Sequence, residues 1–537
     1  EIIRIQSQEA IGRFAEHPRL PGLVLRMRVI KRDGTILEPE VVPGKPTLTM
    51  PHLEVGDYIE TEHITTQPSD DGTGNRYLGP TWYFREADVG YYRSEFVVIS
   101  PKERPLQIET RGDVPQPRVT ENGPVLVHRF RVDRNLAMPD EPGSPPPFEY
   151  LPSVRVGWGV SVEDRLRRLA ENLADDLPAD PRLRRIALAI ADDPNLPPAD
   201  EQERARRLYR WVMSNIEEGD EDDGRRIVIG KSGSRILAFR YLARLAGIPV
   251  EIGVTRNRLT PPAQGPFTEV ESLDQFLLRV GEEQPIWMAM GDKFAPYGYL
   301  PAEVRGQPIV RLVEGLPSEV TPKGGAVDGV VYEASGELLA DGSARLEIKQ
   351  KFVGKLGMGL RASIEQLAET RLHDIVESRL VGRALPGAKL VSLAVENQTN
   401  LDEPLVLAMT VEVPELAQRR GNELAMDPPL AIRISQLASL PTRETPLLMA
   451  EPTYAEIRFS LKLPEGAKAK ILQPPVEVKD AERIVRIKDR QEGDYLVLDR
   501  LIDIHSGRVE PSAYPSLKNF AREADEAISR EIVIAVP

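Results

Sequence analysis

Residues Gly230–Val254 read GKSGSRILAFRYLARLAGIPVEIGV. A polar, glycine-broken turn (Lys231-Ser232-Gly233-Ser234) opens a helix from about Ser234 to Ala246, and Gly247 supplies the residue that ends a helix in left-handed backbone. Pro249 to Val254 then reads as an apolar strand. Upstream, Asp200–Ile216 reads DEQERARRLYRWVMSNI, with Asp200 at the cap position and Glu203 three residues on. Ala205, Leu208, Trp211, Val212 and Ile216 recur at helical spacing. Two further helices precede it. One follows Ser161 and Asp164 and carries Leu166, Leu169 and Leu173, and the other carries Leu183, Ile186, Leu188 and Ile190. Downstream, Phe276 to Val280 and Ile286 to Met290 are short apolar runs with strand character. Helices followed by strands within one segment predict an α+β domain over residues 153–325.

On the N-terminal side, residues 1–152 predict a β-sandwich-like domain. Leu25 to Ile30 alternates before Asp33-Gly34, and Thr35-Ile36-Leu37 returns, which is a hairpin signature. Gly56 to Thr65, Ser94 to Ile99 and Leu126 to Val132 alternate as well. The segment closes in Pro139 to Pro152, including Pro145-Pro146-Pro147, which predicts a stiff linker or a strap on a neighbour. On the C-terminal side, residues 326–537 predict a second β-sandwich-like domain with helices. Val330–Leu339 and Ala344–Val353 flank Asp341-Gly342, and strands are expected at Leu390–Val395, Leu405–Val413, Tyr454–Leu463 and Tyr495–Ile504. A helix is expected around Leu360–Leu380, another over Ser516–Ser529, and a last strand at Ile532–Val536. The fold class is therefore multi-domain α+β, without a repeat of 20–50 residues.

Composition narrows the function. The 537 residues carry a net charge of −14, which repels phosphate backbones and argues against a nucleic-acid partner. No apolar run is long enough for a transmembrane helix. Cysteine is absent, which excludes thiolate metal sites, disulfides and cysteine nucleophiles. The six histidines are His17, His52, His63, His128, His373 and His505, so none lies in the central segment. No metal or other cofactor is expected. The chain begins at Glu1 without Met, the pattern of a processed or truncated piece.

The order of the central motifs resembles the transglutaminase-like, papain-related domain of bacterial proteins that carry a β-domain on each side. The family's third helix resembles Asp200–Ile216. A turn bearing its catalytic cysteine opens a helix ending in Ala-Gly-Ile, as Ala246-Gly247-Ile248 does here. Its histidine precedes a strand, like Gln275 before Phe276–Val280. A Trp-x-carboxylate lies ahead of an aromatic-Ala-Pro-aromatic-Gly segment, as Trp287 lies ahead of Phe294-Ala295-Pro296-Tyr297-Gly298. Arg28–Thr35 and Val55–Glu60 look like the N-terminal β-domain known as domain of unknown function 3857, and Tyr514–Ala527 resembles the closing helix of the C-terminal module, domain of unknown function 3858.

In active members a cysteine at the helix start is activated by an imidazole that a carboxylate orients. The resemblance places Ser232, Gln275 and Ala289 at those three positions, and all three depart from the pattern. A Ser232 hydroxyl needs a positioned base, and Gln275 takes up no proton at neutral pH. Lys231 serves as a base only when buried, and Asp292, three residues past Ala289, would have no imidazole to orient. The expected state is an inactive homologue whose old cleft, lined by Lys231, Arg235, Trp287 and Asp292, holds an extended protein or peptide partner without cutting it. The alternative is a Ser232-dependent hydrolase or acyltransferase with an atypical base. A carbohydrate-binding envelope module is a third idea, unsupported by the 6% aromatic content.

Other features have plainer readings. Glu217–Asp223 is an acidic run without the alternate-residue spacing of a calcium loop, so a solvated loop is expected. Arg204, Arg206, Arg207 and Arg210 read as a surface face paired with local acids. Trp211 reads as core, and Trp287 fits core or cleft. Members of the resembled family are commonly exported, so an extracytoplasmic place (periplasm, outer-membrane-associated or secreted) is expected, with envelope association through residues ahead of Glu1.

Overall fold

A computed structural model describes residues 1–67, 75–173, 178–325, 327–430, 432–480 and 482–537. The chain divides into two compact units, Glu1–Gly79 with Gly157–Gly159, and Pro80–Val156 with Val160–Pro537. The first unit thus takes only residues 1–79 of the 1–152 segment and adds Gly157–Gly159 from beyond it, and the 325/326 boundary falls at Ala326, which lies outside the described residues.

In the first unit, β1 (Ile2–Arg4), β2 (Leu23–Ile30), β3 (Ile36–Leu37) and β4 (Tyr58–Ile64) form a sheet in the order β1-β4-β2-β3. The hairpin at Asp33-Gly34 forms, with Val29 opposite Leu37 and Gly34 at φ 88°. Its core is Ile5, Met27, Val29, Met50, Leu53 and Ile59. Lys31 ties the two motif segments of this unit together by donating to Asp57 Oδ2 at 2.6 Å. Glu16 accepts hydrogen bonds from Lys45 (2.8 Å), Thr47 (2.6 Å) and Thr49 (2.8 Å). These bonds favour the ionised carboxylate, Lys45 most, and hold its pKa down at about 2. Because the folded value is depressed, the stabilisation from Glu16 is present above its ordinary 4.5 and is lost as pH falls through about 2. Carboxyl NMR should place its midpoint near 2 and higher in Thr49→Val; a midpoint at an ordinary glutamate value would refute the geometry.

In the second unit, β5 (Tyr91–Pro101), β6 (Arg118–Asn122) and β7 (Val125–Asn135) pair in the order β6-β7-β5. The helices α1 (Val162–Asn172), α2 (Pro181–Ala191), α3 (Glu201–Asn215), α4 (Gly224–Gly230), α5 (Arg235–Leu245) and α6 (Pro266–Ser272) follow. Their starts are chemical: Ser161 accepts from Asp164 N–H, Asp180 from Arg182 and Leu183 N–H, and Asp200 from Glu203 N–H. A five-stranded antiparallel sheet packs beside them. It comprises β8 (Val250–Thr255), β9 (Gln275–Val280), β10 (Ile286–Met288), β11 (Pro308–Arg311) and β12 (Ser318–Val320), in the order β10-β9-β8-β11-β12. The helix α4 was not expected; the acidic run before it reads as loop, and its Asp223 caps it through Arg225 and Arg226 N–H.

Further elements include β13 (Gly329–Leu338), β14 (Ala344–Val353), α7 (Lys355–Glu365), β15 (Lys389–Glu396), β16 (Leu405–Val413), β17 (Gln418–Arg420), β18 (Glu423–Met426), β19 (Thr453–Lys462), β20 (Lys468–Ile471), β21 (Val476–Lys479), β22 (Arg483–Glu492), β23 (Tyr495–Ile504), α8 (Tyr514–Ile528) and β24 (Ile532–Ala535). An eight-stranded sheet runs β15-β16-β14-β13-β19-β23-β22-β21, antiparallel except for β13 with β19. A four-stranded sheet, β17-β18-β24-β20, shares a core with it through Leu424, Met426, Ile532 and Ile534 against Leu346, Ile348 and Leu407. The single helix expected over Leu360–Leu380 is instead α7 and a second helical stretch beginning at Glu369. α7 starts early because Gly354, at φ 61°, lets Asp328 Oδ1 accept the Lys355 N–H at 2.8 Å.

The proline-rich segment is a strap. Glu141 accepts the N–H groups of Glu444 and Thr445, both at 2.9 Å, and the Thr445 hydroxyl. Leu448 N–H donates to Gly143 O at 2.8 Å, and Glu149 pairs with Arg508.

Candidate functional site

The turn before α5 is held by the acidic run. Glu217 N–H donates to Lys231 O at 3.0 Å, Gly233 N–H to Glu217 O at 2.9 Å, and Ser234 N–H to Glu221 O at 2.9 Å. Glu217 and Ser232 form a parallel bridge. Gly233 sits at φ 135°, and a Cβ there would lie 2.6 Å from both Glu221 O and Ile227 Cγ1, so only glycine fits. Ser234 caps α5 through Leu237 N–H, which leaves Ser232 two residues ahead of the cap, exposed, with its hydroxyl over Gly219.

The charged neighbours of Ser232 in the chain are committed elsewhere or exposed. Lys231 is the exposed left-handed cap of α4 (φ 57°, ψ 28°). Arg235 is 7% exposed and commits Nε to Ile216 O at 2.9 Å, with Glu218 3.6 Å away. Within the Glu217–Asp223 run, Glu221 and Asp223 face Arg226 at 3.7 and 3.8 Å.

Positions 275 and 289 fall on one face of the sheet by register. In β9, Leu278 and Val280 pack among the helices, whereas Leu277 joins Trp287, Leu300, Val304, Ile309 and Ala289 on the other face. Alternation puts Gln275 on the face of Leu277. The β9–β10 register pairs Leu278 with Met288, and one further step sets Ala289 opposite Leu277, diagonal to Gln275. Gln275 donates to Asp274 Oδ1 at 3.0 Å, and no hydrogen bond joins it to Ser232 among the described residues. Trp287 is 4% exposed, a core residue lying over Gly253, where a Cβ would come within 2.6 Å of its ring.

The segment after β10 is fixed by tyrosines. Ala289 N–H donates to Tyr299 O at 2.8 Å. Tyr209 donates to Ala295 O, Tyr297 to Gln202 Oε1 (each 2.8 Å) and Tyr299 to Asp328 Oδ1 at 2.9 Å. Burial pushes all three hydroxyls well above the usual phenol value, so they act as fixed donors. Asp292 is exposed and accepts Phe294 N–H at 2.8 Å within its own turn.

Two cavities, of about 390 and 400 Å³, lie elsewhere: one beside Leu188 and Arg244, the other between α3, α7 and the loop 398–401. Neither is lined by Ser232, Gln275 or Ala289. Arg361, which lines the second, was not singled out from the sequence; its partners lie 36–42 residues away, beyond any periodic pattern. Of the basic cluster, Arg204 pairs with Asp192 and Arg210 with Asp402, but Arg207 is buried and donates to Ala191 O and Pro197 O. Among the described residues there is no cluster of metal-ligating side chains, and no helix is long and apolar enough to cross a membrane.

Residues 423–534, which run from β18 to β24, match a family described as a domain of unknown function with a solved structure, DUF3858. Over its whole length the chain shares its fold with the crystal structure of a "putative protease" from Parabacteroides distasonis ATCC 8503, at 12% identity and TM-score 0.58, covering 94% of that chain. A "putative cysteine protease" from Cytophaga hutchinsonii aligns over 39% of this chain and 69% of its own, at 13% identity and TM-score 0.16. No curated protein matches.

Proposed function

We propose that the chain is a non-catalytic, transglutaminase-like scaffold that binds a protein or peptide partner in the bacterial cell envelope. In this reading residues 1–152 form a β-domain of the unknown-function 3857 type, 153–325 the silent catalytic domain, and 326–537 the C-terminal β-rich domain. The observation that carries it is the composition of the three positions. Ser232, Gln275 and Ala289 offer no thiol, imidazole or carboxylate. The shared fold with a protein named as a protease supports the ancestry, and the diagonal placement of 275 and 289 supports the alignment.

A serine-reactive fluorophosphonate should leave the protein unlabelled, whereas stoichiometric labelling lost in Ser232→Ala would establish the hydrolase alternative. The triple variant Ser232→Cys, Gln275→His, Ala289→Asp should gain a thiol with iodoacetamide reactivity at pH 6, at least tenfold above Ser232→Cys alone. Equal reactivity would refute the alignment.

A further inference from the structure

We propose that the pocket between α3, α7 and the loop 398–401 binds a small ligand that joins a carboxylate to an apolar body, with Arg361 receiving the charge. The pocket holds about 400 Å³, within the range of small-molecule sites. Its walls combine Met213, Phe294 and Leu401 with Arg210, Lys293 and Arg361.

The charges are not equivalent. Arg210 is neutralised by Asp402, and Lys293 by Glu365 at 2.6 Å. Arg361 is 3% exposed and has no carboxylate partner among the described residues. Its Nη2 donates to the carbonyls of Asn397 and Asn400, both at 3.0 Å, and of Glu403 at 2.6 Å. Its Nε is enclosed without an acceptor among the described residues. A buried guanidinium without a counter-charge is the costly member of any ion pair, and a carboxylate is its geometric complement. One negative charge balances the site, and the apolar walls call for a body that inorganic phosphate lacks.

Arg361 also holds the loop around Asn397 (φ 60°), so its loss can disturb folding; a pocket-filling substitution at exposed Thr399 separates the two effects. Calorimetry and thermal shift with N-acetyl-leucine, its amide and inorganic phosphate form the test. The acid should bind, the amide and phosphate at least tenfold more weakly. Thr399→Trp should weaken the acid at least tenfold with an unchanged melting temperature, and Arg361→Met should abolish binding if it folds. No binding of the acid, equal binding of the amide, equal binding of phosphate, or full affinity in Thr399→Trp would each overturn the proposal.

Discussion

Arg500→Met should lower stability by about 3–5 kcal/mol, because it leaves a buried carboxylate without its cation. Asp489 and Arg500 are each 5% exposed and sit diagonally on β22 and β23, where Ile487 faces Arg500. Arg500 Nη2 meets Asp489 Oδ2 at 2.5 Å and Nε meets Oδ1 at 3.3 Å. Its third donor, Nη1, reaches Ile528 O at the end of α8 at 2.9 Å, so one side chain bolts the terminal helix to the sheet. Burial pushes the Asp489 carboxyl upward even with Arg500 beside it. Without Arg500 that push is unopposed. A folded value above the unfolded one means the folded state binds the extra proton, so the deficit of Arg500→Met is largest at neutral pH and shrinks as pH falls. Urea unfolding of wild type and variant at pH 8 and pH 5 reads this directly. The double variant Arg500→Met, Asp489→Leu should recover most of the loss, as apolar replacements of buried pairs do. A single variant within about 1 kcal/mol of wild type would show that the pair carries little.

Such a bolt is invisible to periodicity. Local chemistry was legible: Ser161, Asp200 and Gly247 bound helices where the sequence places them, and Asp33-Gly34 and Asp341-Gly342 turn hairpins. What failed depends on distant partners. The helix α7 begins at Lys355 because of Asp328, 27 residues upstream. In the sheet β17-β18-β24-β20 only β24 is read from the sequence; the hairpin β17-β18 and the strand β20 lie about 60 to 110 residues before it and are too short for their alternation to stand out. Strand β22 does alternate, Val485 and Ile487 inside against Arg486 and Lys488, yet its charged half masks it. At the candidate site, motif order names positions 275 and 289, and the β9–β10 register, which no motif shows, sets them diagonally. The acidic run needed the fold: it reads as a solvated loop, and its backbone turns out to hold the Ser232 turn. The proline-rich segment was legible as stiff, but only Glu141 on Glu444 and Thr445 says what it straps.

Trp287→Ala should cost about 3–5 kcal/mol, the price of emptying a packed aromatic site. The ring lies on the bare backbone of Gly253, in one cluster with Leu277, Leu300, Ile309 and Ala289, and forms the floor of that face of the sheet. Its Nε1 is buried without an acceptor among the described residues, a standing cost of about 1–3 kcal/mol. Trp287→Phe therefore loses ring area but sheds that cost, and should stay within about 1.5 kcal/mol of wild type. Gly253→Ala should destabilise by about 1–3 kcal/mol, since its Cβ would lie 2.6 Å from Trp287 Cη2 and 2.8 Å from Ile309 Cδ1. Phenylalanine has no atom at the Cη2 position, so Gly253→Ala should be milder in the Trp287→Phe background by at least about 0.5 kcal/mol, a coupling that a thermodynamic cycle isolates. Additive effects would mean that ring and glycine are not in contact. The same pair decides between core and cleft for Trp287. A floor residue moves stability and leaves partner affinity alone in Trp287→Phe, whereas a groove residue does the reverse. Its 4% exposure favours the floor.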